Sequence, residues 1–221
     1  MYPNSVLFFA AGFGTRMAPL TNTRPKPMVD VAGKPLLFHA LDLAPQFTRV
    51  VNVHYLAEQI VDAVPDDVAI SDETNAILET GGGLKRALPH LSSNPVFTMN
   101  TDAVWKGPNP FDVLLSEWHE DMDGLLLLVP QSQAHGHTGK GDFLTDDEGR
   151  IRKGPGAIYT GCQIIRTDLL SDIDQSAFSM WELWNRMLDK GTLFGTEYDG
   201  LWCDVGRPDC IEIAQRMIAD V

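Results

Sequence analysis

The sequence predicts an α/β protein with a mostly parallel mixed sheet, helices on both faces and a small β-rich lobe. Three observations lead there. From Ser5 to Pro130, apolar runs of strand length alternate with stretches of helical spacing, and the connections between them are short. After Gln131 the texture changes to short strands separated by glycine-containing turns. Strand–helix alternation with short loops implies a parallel sheet covered on both sides. A chain of 221 residues fits one domain, 1–221, with 131–166 as the β-rich lobe within it.

The elements follow in order. Ser5–Ala11 (SVLFFAA) is a continuous apolar run, as expected of a strand buried on both faces. Lys34–Ala44 places Leu37, Ala40, Leu41 and Ala44 at helical spacing, with Pro35 suited to a first turn. Arg49–Leu56 reads as a strand, Ala57–Val64 as a helix and Val68–Ser71 as a short strand. A helix is expected over Gly82–Leu91, led by a glycine-rich turn, then a strand over Pro95–Asn100. Pro110–His119 reads as helix and Gly124–Pro130 as strand. The lobe has turns at Asp147–Gly149 and Gly154–Gly156, and helices are expected over Met180–Lys190 and Arg207–Ala219.

Charge narrows the function. The formal net charge is −13 and the pI about 4.7, which argues against a nucleic-acid surface. Residues 1–40 reverse this: Arg16, Arg24, Lys26 and Lys34 stand against Asp30 alone. The other residues hold 13 cations against 29 acids. Cys162, Cys203 and Cys210 have no C-x-x-C spacing, so buried thiols in a reducing cytoplasm are expected. The run Val6–Ala11 is too short to span a bilayer and lacks the cationic start of a signal peptide. No membrane partner is expected, and the oligomeric state, monomer or dimer, is left open.

Within the basic island, Ala10–Pro27 reads AAGFGTRMAPLTNTRPKP: a loop of small residues directly after a buried strand, followed by fixed cations. Such a loop lets backbone N–H groups approach a polyphosphate while the cations neutralise it. It is not the triphosphatase loop, because G-x-x-x-x-G-K-[ST] is absent. It is not the dinucleotide fingerprint either, because Met17 stands where a third glycine is needed. The second strand ends in Asn52-Val53-His54 rather than an acid.

The run Ala10–Leu37, 28 consecutive positions, resembles the signature of the sugar-1-phosphate nucleotidylyltransferases. There A-A-G-x-G-T-R-[ML]-x-P-L-T precedes P-K-P-[ML] and G-x-P-[LM]. The resemblance implies a Rossmann-like, GT-A-like fold. It also implies that Ala10, Ala11, Gly12, Gly14, Thr15 and Arg16 wrap a nucleoside triphosphate, with Arg16 on its β and γ phosphates. Lys26 then approaches the α phosphate and the attacking sugar phosphate. Positioning and charge neutralisation carry such a transfer, which calls for fixed cations and a metal.

Asp102 follows the apolar strand ending in Asn100-Thr101, where the family keeps an aspartate after glycine, and Asp204 lies in W-C-D-V-G (Trp202–Gly206). The resemblance makes these the Mg²⁺ carboxylates, and hard oxygen ligands suit that ion. Leu78–Leu88 (LETGGGLKRAL) resembles the segment that packs against base and ribose, so Gly81 and Gly82 are expected to let a flat base lie on the backbone. Glu73 stands near the position that reads the base edge; a carboxylate accepts from uracil or thymine, and equally from guanine. Gly139–Phe143 and Tyr159–Ile165 resemble the sugar-side segments, which nominates Gly141, Asp142, Thr160 and Gly161. Many members carry E-K-P between them; here Ile151-Arg152-Lys153-Gly154 stands instead, with Lys153 as the substitute.

Together these imply transfer of UMP from UTP to a sugar 1-phosphate with release of pyrophosphate. Within the family the resemblance is greatest to the branch that uses N-acetylmuramate 1-phosphate in peptidoglycan recycling. Its lactyl carboxylate calls for a cation, and Lys140, Arg152 and Lys153 are the candidates. The alternatives are a mannose-1-phosphate guanylyltransferase, a glucose-1-phosphate uridylyl- or thymidylyltransferase, and a silent nucleotide-sugar-sensing subunit. His54, His119, His135 and His137 read as core or surface residues, and Trp181, Trp184 and Trp202 as core.

Overall fold

The computed structural model describes residues 1–219. In chain order it comprises β1 (Ser5–Phe9), β2 (Asp30–Val31), β3 (Lys34–Pro35), α1 (Leu36–Leu41), β4 (Thr48–Val53), α2 (Ala57–Val61) and β5 (Val68–Asp72). Then come α3 (Glu79–Ala87), β6 (Val96–Asn100), β7 (Ala103–Lys106), α4 (Pro110–Glu117), β8 (Gly124–Val129) and β9 (Ala134–His135). The chain continues with β10 (Phe143–Thr145), β11 (Ile151–Lys153), β12 (Ile158–Ile165), α5 (Met180–Lys190), β13 (Leu193–Glu197), β14 (Leu201–Asp204) and α6 (Asp209–Ala219).

Seven strands form the central sheet in the order β13-β8-β12-β6-β1-β4-β5. All neighbours are parallel except β12, which runs antiparallel to both β6 and β8. The apolar runs are buried on both faces; every residue of β8 is buried. On one face Leu37 and Leu41 of α1, Ile60 of α2 and Phe111 of α4 pack against Phe8, Val51 and Phe97. On the other, Leu84 of α3 and Leu183 and Met187 of α5 pack against Leu7, Val50 and Leu126. The mixed sheet with helices on both faces is therefore as predicted.

Helix ends obey local chemistry. In α5 the buried Met180, Leu183, Trp184 and Met187 form one stripe. The Ser179 hydroxyl caps its start by accepting from the Trp181 N–H, and Gly191 ends it in the left-handed conformation. Asn109 caps α4 in the same way, with Pro110 in its first turn.

Two expectations change. The 131–166 segment divides: β12 is an inner strand of the central sheet, and β9 pairs with β14 in a three-stranded sheet, β7-β14-β9. Only the β10–β11 hairpin stands apart, because the apolar IYTGCQII run needs burial on both faces, which a small lobe cannot supply. The glycines read as a turn before a helix lie inside α3, which begins at Glu79. Strands β7, β13 and β14 were not foreseen, being four or five residues long with little periodicity.

Candidate active site

The site lies where strand order reverses. From β1 the chain moves to β4 and β5 on one side and to β6 on the other, which leaves a crevice at the carboxyl ends of β1 and β6. The loop after β1 and the Asn100–Asp102 segment after β6 both open into it.

Ala10, Ala11, Gly12, Gly14, Lys26, Glu73 and Asp102 line one cavity of about 220 Å³. Thr15 and Arg16 join Gly12, Gly14, Lys26 and Asp102 around an adjoining one. The loop glycines have different reasons. Gly14 has φ +64°, and a Cβ there would lie 2.8 Å from Lys26 Cβ. Nothing lies within 4 Å of a Cβ at Gly12, so its backbone faces space that a ligand can occupy. The Thr21 hydroxyl donates to the Gly14 carbonyl at 2.9 Å and fixes the turn.

Lys26, only 9% exposed, donates from Nζ to Asp102 Oδ2 at 2.8 Å. Asp102 is anchored on both sides: the Thr101 hydroxyl donates to the Phe9 carbonyl at 2.7 Å, and the Val205 N–H donates to the Asp102 carbonyl at 2.8 Å. Thr101, in the position of the family glycine, thus clamps β6 to β1. Antiparallel pairing of β7 with β14 sets Asp204 opposite Ala103 and brings its carboxylate beside Asp102. Burial, then the negative charge of Asp102, push the Asp204 carboxyl above its ordinary range; Lys26, Arg16 and His137 oppose this. His137 Nδ1 lies 3.9 Å from Asp204 Oδ2, a proximity that its sequence position did not suggest. Two adjacent carboxylates, both half-buried, suit a hard divalent cation. Among the described residues no group of three His, Cys, Asp or Glu could hold a metal, so such an ion would complete its shell with ligand oxygens.

Glu73 is 3% exposed and bound to Asn52, which sequence reasoning passed over. Asn52 Oδ1 accepts from the Ala10 N–H at 2.7 Å, and its Nδ2 donates to Glu73 Oε1 at 2.8 Å. Glu73 Oε2 is buried and makes no hydrogen bond. Burial raises the Glu73 pKa, opposed first by the Asn52 hydrogen bond. A Cβ at Gly83 would lie 2.8 Å from Glu73 Oε1, so this glycine makes room for the Asn52–Glu73 pair.

Gly81 and Gly82 lie beside the first cavity rather than on its wall. Both N–H groups donate to the Phe178 carbonyl at 3.0 Å, and their missing Cβ atoms admit the Phe178 ring and the Ser176 carbonyl. They serve packing between α3 and the 176–178 segment; Glu79 and Thr80 line the cavity instead.

A second cavity of about 220 Å³ shares Phe9, Thr80 and Asn100 with the first. Asp142 lines it, and its Oδ2 accepts from the Tyr159 N–H at 2.9 Å. Tyr159, Gln163, Trp181 and Trp184 complete the wall, so Trp181 and Trp184 belong to a cavity as well as to the core. Thr160 and Gly161 do not reach it. The Thr160 hydroxyl donates to the Leu127 carbonyl inside the sheet, and Gly161, at φ +88°, admits the Asn100 side chain. Gly141, at φ +93°, shapes the loop by passing close to the Gly156 carbonyl. Lys153 is exposed, with Nζ 4.5 Å from the centroid of the Trp181 ring.

Residues 6–176 match the model of the MobA-like NTP transferase domain. The chain belongs to the MobA-like NTP transferases. Two relatives are similar over nearly their whole length. The N-acetylmuramate α-1-phosphate uridylyltransferase of Caulobacter vibrioides is 37% identical, covering 99% of this chain and 98% of its own. The protein of the same name from Neisseria meningitidis serogroup B is 32% identical, covering 96% of each. Among solved structures, the inositol-1-phosphate CTP transferase of T. maritima superposes with a TM-score of 0.75 over 99% of this chain and 98% of its own, at 17% identity. That likeness extends to the fold. The MobA-like transferase fold thus carries here the sugar-1-phosphate nucleotidyltransferase signature.

Proposed function

We propose that this chain transfers UMP from UTP to N-acetylmuramate 1-phosphate, forming the UDP-sugar and releasing pyrophosphate. The observation that carries the reading is the junction of the two cavities through Phe9, Thr80 and Asn100. The glycine loop, Lys26 and Asp102 stand on one side of that junction and Asp142 on the other. A nucleotide and a sugar phosphate would there meet at their reacting phosphates. The 37% identity to the Caulobacter enzyme favours this sugar among the alternatives.

In the proposed reaction an oxygen of the sugar phosphate attacks the α phosphorus of UTP, and the bond to the bridging α–β oxygen breaks. Pyrophosphate leaves with that electron pair. The attacking monoester, with a second pKa of about 6, is already largely dianionic and needs no base. Gly12 leaves space for the triphosphate to approach the backbone, and Arg16 provides a cation over the leaving phosphates. Lys26, paired with Asp102, would stand at the α phosphate. Mg²⁺ on Asp102 and Asp204 would offset the charge that develops on the phosphates.

Glu73 lines the nucleotide cavity with its Oε1 fixed by Asn52, and a carboxylate there can accept from a base N–H. A cytoplasmic setting accords with the three free cysteines. No helix among the described residues is long and apolar enough to cross a membrane.

Pyrophosphate release across UTP, dTTP, GTP and CTP, each paired with N-acetylmuramate, N-acetylglucosamine, glucose and mannose 1-phosphates, tests the reading. Preferred turnover of UTP with the muramate ester is expected. Preference for GTP with mannose 1-phosphate would overturn it, and nucleotide binding without turnover of any pair would assign a sensing role.

A further inference from the structure

Phe143, Tyr159, Trp181 and Trp184 give the second cavity an aromatic wall. The Phe143 ring stacks on Trp181 at 5.5 Å and 28°, and Trp184 meets Trp181 edge-on at 4.9 Å. The shelf is rigid. The Trp184 N–H donates to Gln163 Oε1, and Gln163 Nε2 donates to Thr98 Oγ1, each at 2.9 Å inside the core. Lys153 is held against this shelf. It stands directly opposite Phe143 in the β10–β11 hairpin, so the two side chains leave the same face. Arg152, one residue earlier, leaves the other face.

No carboxylate pairs with Lys153 among the described residues; its Nζ sits 4.5 Å from the Trp181 ring centroid. A cation–π contact orients an ammonium without cancelling its charge. In a chain of net charge −13, a cation held this way beside an apolar wall is available to an anion.

We propose that Trp181 and Lys153 form a selectivity subsite for a sugar phosphate bearing a second acidic group. The Trp181 ring would pack the apolar part of that substituent, and Lys153 would pair with its carboxylate. This rests on the proposed reaction but adds to it, selecting Lys153 over Lys140 and Arg152 and adding the ring that positions it.

The test is equilibrium binding by calorimetry, with UTP turnover measured in parallel. The two ligands are N-acetylmuramate 1-phosphate and N-acetylglucosamine 1-phosphate, which lacks the lactyl carboxylate. Lys153→Met keeps the alkyl stem and is expected to weaken muramate-ester binding by roughly ten- to hundredfold, with the neutral ester affected less. Trp181→Leu is expected to lower the same preference, and Lys153→Arg to restore part of it. Equal losses for both esters, or none, would overturn the subsite while leaving the reaction intact. A wild-type protein that binds the neutral ester as tightly as the muramate ester would overturn the subsite and the choice of sugar together. If the binding preference depends on Lys153 but UTP is not turned over, the subsite stands and the reaction fails.

Discussion

Lys26 Nζ donates to Asp102 Oδ2 at 2.8 Å across 76 positions of sequence, joining the glycine loop to the end of β6. The pair couples the cation expected at the α phosphate to a carboxylate expected on the metal, so the two are not independent. Lys26→Met and Asp102→Asn are each expected to lower kcat by about 10²–10³-fold. The double variant should lose far less than the product of the two, as for residues that act as a unit. Steady-state pyrophosphate release checks this, and circular dichroism checks that the fold is retained. Full additivity would show that the pair does not act as a unit.

Burial, and after it the negative charge of Asp102, push the Asp204 carboxyl above its ordinary range, so part of that shift is repulsion between the two carboxylates. Asp204→Asn removes that repulsion. Without metal the variant is expected to melt no lower than the wild type, while its Mg²⁺ requirement for turnover rises at least tenfold. A chelator is expected to abolish wild-type turnover, and Mg²⁺ to restore it. A Mg²⁺ titration unchanged by the substitution would take Asp204 out of the metal site.

Glu73 supplies the pH prediction. Its folded pKa is raised above the ordinary 4.5, so in the window between the two the folded protein holds a proton that the unfolded chain has released. That contribution to stability is full below 4.5 and is lost as pH rises to the folded value. Glu73→Gln is expected to flatten the stability profile over this window, as read from denaturant midpoints at successive pH values. A profile that keeps its slope would place the titration elsewhere.

Gly83 separates packing from recognition. Alanine there would bring its Cβ to 2.8 Å from Glu73 Oε1 and 2.9 Å from Asn52 Nδ2. The pair must shift, and a rise of about tenfold in the KM for UTP is expected, with kcat less affected. Gly82→Ala instead meets the Ser176 carbonyl at 2.2 Å, and backbone cannot rotate away. It is expected to lower stability by about 1–3 kcal/mol. Equal kinetic effects from the two would dissolve this distinction.

Thr101→Ala deletes the hydroxyl that clamps β6 to β1 and leaves the Phe9 carbonyl without that donor. A loss of about 1–2 kcal/mol in stability is expected by chemical denaturation. Thr101→Ser, which keeps the hydroxyl, should recover most of it.

The sequence by itself determined the layered α/β class, the glycine loop with Arg16 and Lys26, and the two aspartates. Apolar periodicity reports burial directly, and the loop is one continuous string. Only the tertiary structure decided which groups meet. The Asn52–Glu73 pair, the approach of His137 to Asp204 and the contact of Lys153 with Trp181 join residues 21 to 67 positions apart in sequence. Such encounters follow from strand order and register, to which local pattern is blind. The glycines at 81–83 make the same point: their spacing reads as a turn or a ligand platform, and the reason for each lies in a neighbour supplied from elsewhere in the chain. β12 took an inner place in the sheet because its apolar run required cover on both faces. Its sequence carried that requirement, and the packing of β6 and β8 around it decided where it was met.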